Sequence, residues 1–75
     1  MSAMNMKYQI VYQFQPYKAY RQAGVYDGKK ISREIEAENA KLAEHKLRLS
    51  VPKFWNIGGN EIGINEILEI KEVEG

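Results

Sequence analysis

The segment from Lys7 to Gln15 restricts the possible folds of this chain most strongly. Its sequence, KYQIVYQFQ, alternates strictly, so that every second side chain is aromatic or aliphatic. These side chains are Tyr8, Ile10, Tyr12 and Phe14. A period of two is that of a β-strand with one buried face. The sequence therefore predicts a strand here, which ends at Pro16 because proline has no N–H group to donate to a neighbouring strand.

The segment after Pro16 is rich in tyrosine and contains no long periodic pattern. PYKAYRQAG is compatible with a short helical turn that has Pro16 near its start and Gly24 just past its end, or with an irregular connection. Asp27 and Gly28 both accept positive φ angles. This pair predicts a tight turn.

Residues 33 to 46 are predicted to form the main helix. Ser32 can cap the free amides at its start, Glu34 suits the positive end of the helix dipole, and EIEAENAKLAEHK consists mainly of strong helix formers. One apolar stripe contains Ile35, Leu42 and Leu49, and a weaker patch of Ala40, Ala43 and Leu47 lies nearly opposite. We expect this helix to cover one side of the sheet.

Three further strands are predicted in the second half of the chain. Leu47, Leu49 and Val51 alternate with polar residues until Pro52, which is typical of a strand that ends there. The segments 53–57 and 61–64 flank Gly58-Gly59-Asn60, a sequence that favours a hairpin turn. Beyond Glu61 the apolar alternation continues but is interrupted at Glu66, which predicts a bulge near Asn65-Glu66.

These elements predict a small α+β fold: a mostly antiparallel sheet of about four strands with one main helix packed on one face. We expect residues 1–75 to form a single domain, with fraying at 1–6 and 73–75. A chain this short buries a small core, and the absence of cysteine excludes disulfides as compensation. Self-association is therefore expected, with a strand edge between Glu61 and Val73 as its candidate surface.

The composition argues against several classes of function. The net charge is +1, which lacks the basic surplus of most duplex-binding domains. With no cysteine and with His45 as the one histidine, the sequence offers no thiolate site and no partnered imidazole. We expect no enzyme activity, metal, cofactor, small-molecule substrate or membrane association. A cytoplasmic location is the default expectation for a chain without cysteine, and the residue usage favours a bacterial or phage origin.

Non-catalytic binding of another protein, as in an accessory or inhibitor-like factor, is the function that the sequence favours. Residues 31–75 are acidic, and their carboxylates can meet a basic partner. Trp55 either anchors the core, which is the favoured interpretation, or forms an interface. The candidate protein-binding residues are Trp55, Glu61, Glu66, Glu69 and Glu72.

Binding of single-stranded nucleic acid is the alternative function. Residues 1–30 are basic, and tyrosines alternate there with lysine and arginine, so that rings can stack on bases while cations follow phosphates. The same tyrosines can instead pack in the core, with the cations at its rim. The candidate nucleic-acid-binding residues are Tyr17, Lys18, Tyr20, Arg21, Tyr26, Lys29 and Lys30.

Overall fold

The computed structural model describes residues 5–21 and 28–73, and these form one sheet and one α-helix. The strands are β1 (Met6–Pro16), β2 (Lys30–Ala37), β3 (Phe54–Ile57) and β4 (Asn60–Val73), and the helix is α1 (Ala40–Ser50). The sheet order is β2-β1-β4-β3, with all neighbours antiparallel. Because α1 packs on one face of this sheet, the predicted fold class is confirmed.

The first strand has the predicted alternation and lies inside the sheet. Tyr8, Ile10 and Tyr12 are buried beneath α1, and the strand pairs with β2 on one side and β4 on the other. Pairing with β4 joins the two ends of the described chain, since Lys7 lies opposite Val73. The first and the last strand are therefore the two central strands of the sheet.

The predicted bounds of the main helix were wrong. Lys30–Ala37 is β2, and the helix begins only at Ala40. Its cap is Asn39, whose Oδ1 accepts a hydrogen bond from the Leu42 amide at 2.9 Å. Ser32 lies in β2, where its Oγ accepts a hydrogen bond from the Gln9 side chain. Pairing with β1 outweighs the helix propensity of this segment, because propensities are weak compared with tertiary context.

The predicted strand at 47–51 was also wrong, because these residues complete α1 and its C-terminal cap. The buried face of the helix contains Ala43 and Leu47, both 0% exposed. Leu42 and Leu49, which we expected in the main apolar stripe, are 42% and 76% exposed. The error has one cause: the stripe was traced from Ile35, which is not helical.

The hairpin between β3 and β4 is confirmed. Its turn residues are Gly58 and Gly59, with φ angles of 57° and 84°, and Asn60 already belongs to β4 opposite Ile57. Two positive φ angles are typical of the two-residue hairpin turns that match strand twist.

The irregularities of β4 lie elsewhere than at Asn65-Glu66. Two shifts of register each leave one extra residue in β4. Ile62 is the extra residue where β3 passes from Trp55 to Asn56. Leu68 is the extra residue where β1 passes from Val11 to Tyr12. Both shifts lie outside the predicted pair. The bulge prediction was therefore right in kind and wrong in position.

The remaining predictions concern the connection after β1 and the chain ends. A single 3-10 turn, Lys18–Tyr20, follows Pro16. The expected turn at Asp27 lies outside the described residues, as do 1–4 and 74–75, whereas Met6 and Val73 are strand ends. The helices in the described ranges lack the length and apolar character needed to cross a membrane.

Candidate functional site

An open groove of about 510 Å³ lies on the side of the sheet that faces α1, beyond the C-terminal end of the helix. The helix covers the sheet at Tyr8, Ile10 and Tyr12 and leaves the region toward β3 uncovered. Most of the lining residues are apolar. The groove is lined by Tyr12, Phe14, Gly28, Ile31, Arg33, Ser50, Val51, Pro52, Trp55, Ile57, Ile62 and Asn65.

The walls of this groove are unusually accessible for large apolar side chains. Ile31 on β2 is 45% exposed, and Trp55 and Ile57 on β3 are 46% and 51% exposed. Ile62 and Val51 supply apolar surface that is already buried. Such a concentration of exposed apolar surface around one concavity is typical of a binding site.

Trp55 does not lie in the core, so the favoured interpretation of this residue was wrong. Its ring packs against Phe14, with the ring centroids 6.0 Å apart and the planes at 55°. Trp55 pairs with Gly63, and a Cβ atom built on Gly63 would lie 2.5 Å from Cε1 of Phe14. Glycine at 63 therefore makes room for the Phe14 ring against the backbone of β4, and Phe14 in turn supports one side of the tryptophan.

Asn65 fixes the wall formed by the connection between α1 and β3. It is 3% exposed, and its Nδ2 donates to the Pro52 carbonyl at 2.8 Å. The backbone N–H of Asn65 donates to the Lys53 carbonyl. The backbone carbonyl of Asn65 accepts a hydrogen bond from Nη1 of Arg48 at 2.8 Å. Because these polar groups are satisfied, the connection is held on β4 without an unpaired buried side-chain nitrogen or oxygen among the described residues.

Arg33 is the charged side chain that borders the groove. It projects from β2 on the same face as Ile31, and its Nη1 donates to Oγ of Ser50 at 3.3 Å, at the C-terminal end of α1. An exposed guanidinium beside apolar walls can pair with a carboxylate on whatever occupies the groove. The site therefore matches an apolar group with an acid at one end.

The predicted acidic residues do not form one surface with Trp55. Glu66 and Glu69 pair with Gln13 and Val11, which places them on the open face of the sheet, away from α1. Glu61 pairs with Asn56 on that same face. Glu72 lies opposite Tyr8, on the helix side. Three of the four carboxylates therefore lie on one face of the sheet, which is the face opposite the groove.

Tyr17, the first residue of the predicted nucleic-acid-binding set, is hydrogen-bonded to a carboxylate. Its hydroxyl donates to Oε2 of Glu61 at 2.5 Å. This hydrogen bond, followed by desolvation and the charge of Glu61, raises the pKa of Tyr17 above the usual tyrosine value. A carboxylate beside the ring repels phosphate.

The other members of this set lie around the same end of the sheet. Arg21 donates from Nε to the Pro16 carbonyl at 3.1 Å, Lys18 is exposed and Tyr20 is partly buried. Lys29 and Lys30 are exposed at the start of β2. Tyr26 lies outside the described residues.

Within the described ranges, the ionisable residues form no cluster of three or more that suits a metal ion. His45 is exposed on α1, between its ends rather than at the terminus that the sequence indicated. The absence of catalysis and of a metal requirement stays a prediction.

The sequence did not indicate that four residues would line one groove with Trp55. These residues are Ile31, Arg33, Phe14 and Ile57. A partial signal was present for the first two, because Ile31, Ile35 and Ala37 recur with a period of two, although Arg33 interrupts the apolar side of that pattern. The strong helix formers around Glu34 obscured this signal. No local pattern indicated that the start of β2 and the β3–β4 hairpin would line one groove across β1 and β4.

Comparison with family models, with curated proteins and with solved structures gives no match for this chain. The groove is therefore the feature from which we infer a function.

Proposed function

We propose that this chain is a non-catalytic binding domain that receives an apolar segment of another protein in the groove beside Trp55. The observation that supports the proposal is the exposure of Ile31, Trp55 and Ile57 around one concavity. Burial of apolar surface is the main favourable term in protein association, at roughly 25 cal/mol per Å². Three large side chains of this kind can act as the centre of an interface.

The shape of the groove suits side chains projecting from a partner's backbone. Its volume of about 510 Å³ matches a few large side chains. The walls come from all four strands and the end of a helix, and the Asn65 hydrogen bonds and the Phe14–Trp55 contact hold them in place. A preformed site loses little conformational entropy when it binds.

The chemistry of the rim indicates which segment binds best. Arg33 supplies a positive charge at the α1 end of the groove, and most of the remaining lining residues are apolar. We expect a segment with two or three large apolar residues and one acid near their end. An isolated domain of this size should bind such a segment with an affinity of about 1 to 100 µM, because the buried area is small.

The experiment is selection of peptides from a random library on the folded domain, followed by titration of single peptides. Trp55 is the one tryptophan of the chain, so its fluorescence reports directly on the groove. Ile57→Asp should lower the affinity of the selected peptides at least tenfold, because it places a charge in the apolar wall. Arg33→Ala should weaken only those peptides that contain an acid, and this effect should decrease with salt.

Phe54→Asp is the matched control. Phe54 lies on the same short strand and is 40% exposed, but it pairs with Ile64 and belongs to the opposite face of the sheet. This variant should change peptide affinity by less than about threefold. Equal losses for Ile57→Asp and Phe54→Asp would refute the groove as the site.

A second titration uses single-stranded oligonucleotides at low salt, where phosphate contacts are strongest. We expect no binding tighter than about 10 µM, which is typical of non-specific association. Nanomolar affinity that Ile57→Asp leaves unchanged would replace the proposal by the nucleic-acid function.

A further inference from the structure

We propose that two copies of this chain associate through β2, so that the two sheets continue into each other. Among the described residues, β2 is paired with β1 on one side and has no neighbour on the other. An unpaired strand edge is a template for another strand. This surface differs from the groove wall formed by Trp55 and Ile57, although Ile31 and Arg33 border both.

The edge of β2 carries four charged residues, Lys30, Arg33, Glu34 and Glu36, but it lacks two other features that prevent strand pairing, proline and a bulge. It contains no proline, and its register with β1 is continuous from Lys30 to Ala37. Lys46 donates to the Glu36 carbonyl at 2.7 Å near one end, but a carbonyl oxygen accepts two hydrogen bonds and this contact can persist. β4 is also unpaired on one side beyond β3, yet its bulge at Leu68 disturbs the strand there.

One register combines charge complementarity with the pairing of two isoleucines. A two-fold axis perpendicular to the sheet pairs only residues whose side chains share a face. With the axis at Arg33, Lys30 of each copy lies opposite Glu36 of the other on the open face. On the helix side, Ile31 of each copy lies opposite Ile35 of the other.

The neighbouring registers are less favourable. An axis at Ser32 also pairs Lys30 with Glu34 but places Ile31 opposite Arg33. An axis at Glu34 places Arg33 opposite Ile35, so neither of these registers pairs Ile31 with Ile35. The favoured register does place Arg33 opposite its own copy. Both guanidinium groups are exposed, and each donates to Ser50 of its own chain, so solvent screens their repulsion.

Exposed apolar side chains lie along the same side of the molecule. Hydrogen bonds from Lys46 to Glu36 and from Arg33 to Ser50 place one side of α1 alongside β2. Leu42 is one turn before Lys46 on that side, and Leu49 is on the same stripe two turns after Leu42. They are 42% and 76% exposed. Pairing of the β2 strands brings the two helices side by side, where these leucines lose contact with water.

Cysteine scanning tests the register directly, because the natural chain contains no cysteine. Residues on the axis lie about 4.5 to 5.5 Å apart between Cα atoms, within the range of a disulfide. Arg33→Cys should therefore oxidise to a covalent dimer. Ile31→Cys alone should not, since its two copies are roughly 13 Å apart along the strands. A mixture of Ile31→Cys and Ile35→Cys should form a covalent heterodimer.

Sedimentation of the cysteine-free chain at several concentrations measures the equilibrium. Lys30→Glu should raise the dimer dissociation constant about tenfold, because it places two carboxylates opposite each other at both ends of the interface. The double variant Lys30→Glu/Glu36→Lys should restore it. Lys41→Glu, which makes the same charge change on α1 outside the interface, should leave it within about twofold. Circular dichroism melts verify that each variant is folded.

Any one of three results would overturn the proposal. The first is a monomer at every concentration up to about 1 mM, and the second is equally fast covalent dimerisation of Ile31→Cys and Arg33→Cys. The third is a dimer that Lys30→Glu weakens no more than Lys41→Glu does. These experiments leave Trp55 and Ile57 unchanged. Failure here is therefore distinguishable from failure of the peptide-binding proposal.

Discussion

Tyr17 and Glu61 show how one contact joins distant parts of the chain. Tyr17 follows β1 and Glu61 lies in the β3–β4 hairpin, and their side chains meet in a hydrogen bond. The Tyr17 amide also donates to the Ile62 carbonyl at 2.8 Å. The tyrosine thus ties the end of β1 to the hairpin that forms one wall of the groove.

The ionisation of Tyr17 gives a testable prediction. Its pKa is raised in the folded chain, first by the hydrogen bond to Glu61 and then by desolvation and the carboxylate charge. The stabilisation from this contact should be complete below the unfolded-state pKa of about 10 and should be lost as pH rises through the higher folded-state pKa. Tyrosinate absorbance during a pH titration, compared between the natural chain and Tyr17→Phe, measures it. Glu61→Gln should return the pKa toward its ordinary value, and titration of Tyr17 at or below that value would contradict the prediction.

Gly63 is the residue on which the aromatic wall depends. A Cβ atom there would meet Phe14 Cε1 at 2.5 Å and the Gln15 carbonyl oxygen at 2.6 Å, both shorter than van der Waals contact. Gly63→Ala should therefore cost about 1 to 3 kcal/mol of unfolding free energy, which urea denaturation measures. The same variant should shift Trp55 fluorescence, because Phe14 must move. A loss below about 0.5 kcal/mol with unchanged fluorescence would show that the close packing is not required.

At the scale of elements, α1 makes its contact with the sheet through a narrow strip of side chains. Ala43 and Leu47 are fully buried against Ile10, Tyr12 and their neighbours. The rest of the helix is polar or exposed. One leucine on this helix should therefore contribute far more to stability than the others.

Leu47→Ala should cost about 2 to 5 kcal/mol, because it leaves a cavity beneath the helix. Leu42→Ala should cost less than about 1 kcal/mol, since Leu42 is 42% exposed. Urea denaturation at a concentration where sedimentation shows a monomer gives both values. Equal losses for the two variants would mean that the helix presents a different face to the sheet.

The outcome for β2 and α1 shows what local sequence can predict. The alternation of β1 and the Gly58-Gly59 turn are local signals, and both led to correct elements. The segment from Lys30 to Ala37 has strong helix formers, yet it becomes a strand because β1 offers it a partner. Such pairing depends on residues far away in sequence, so propensity alone cannot reveal it. The groove was missed for the same reason, because β2, β3 and the end of α1 form it together.

The whole molecule has its first and last strands at the centre of the sheet. β1 pairs with β4 from Lys7 opposite Val73 to Pro16 opposite Gly63, so the central pair forms only after most of the chain has been brought together. Long-range pairing of this kind slows folding, because the entropy of loop closure is lost before the contacts are gained. The ends of β1 and β4 are neighbours, which makes the sheet suitable for circular permutation.

A circular permutant that begins at Gly59 and ends at Gly58 should keep the fold and refold about tenfold faster than the natural chain. In this permutant the residues outside Met6 and Val73 form the loop between β4 and β1, so the central pair becomes a hairpin. The permutation breaks the chain in the β3–β4 turn. Since β3 is a four-residue strand at the edge of the sheet, we expect the loss of unfolding free energy to be smaller than that caused by Leu47→Ala. Stopped-flow refolding followed by Trp55 fluorescence gives the rates, and circular dichroism gives the secondary structure. A folded permutant that refolds no faster than the natural chain would show that closure of the β1–β4 pair does not limit the folding rate. An unfolded permutant would show that the sheet requires the β3–β4 turn.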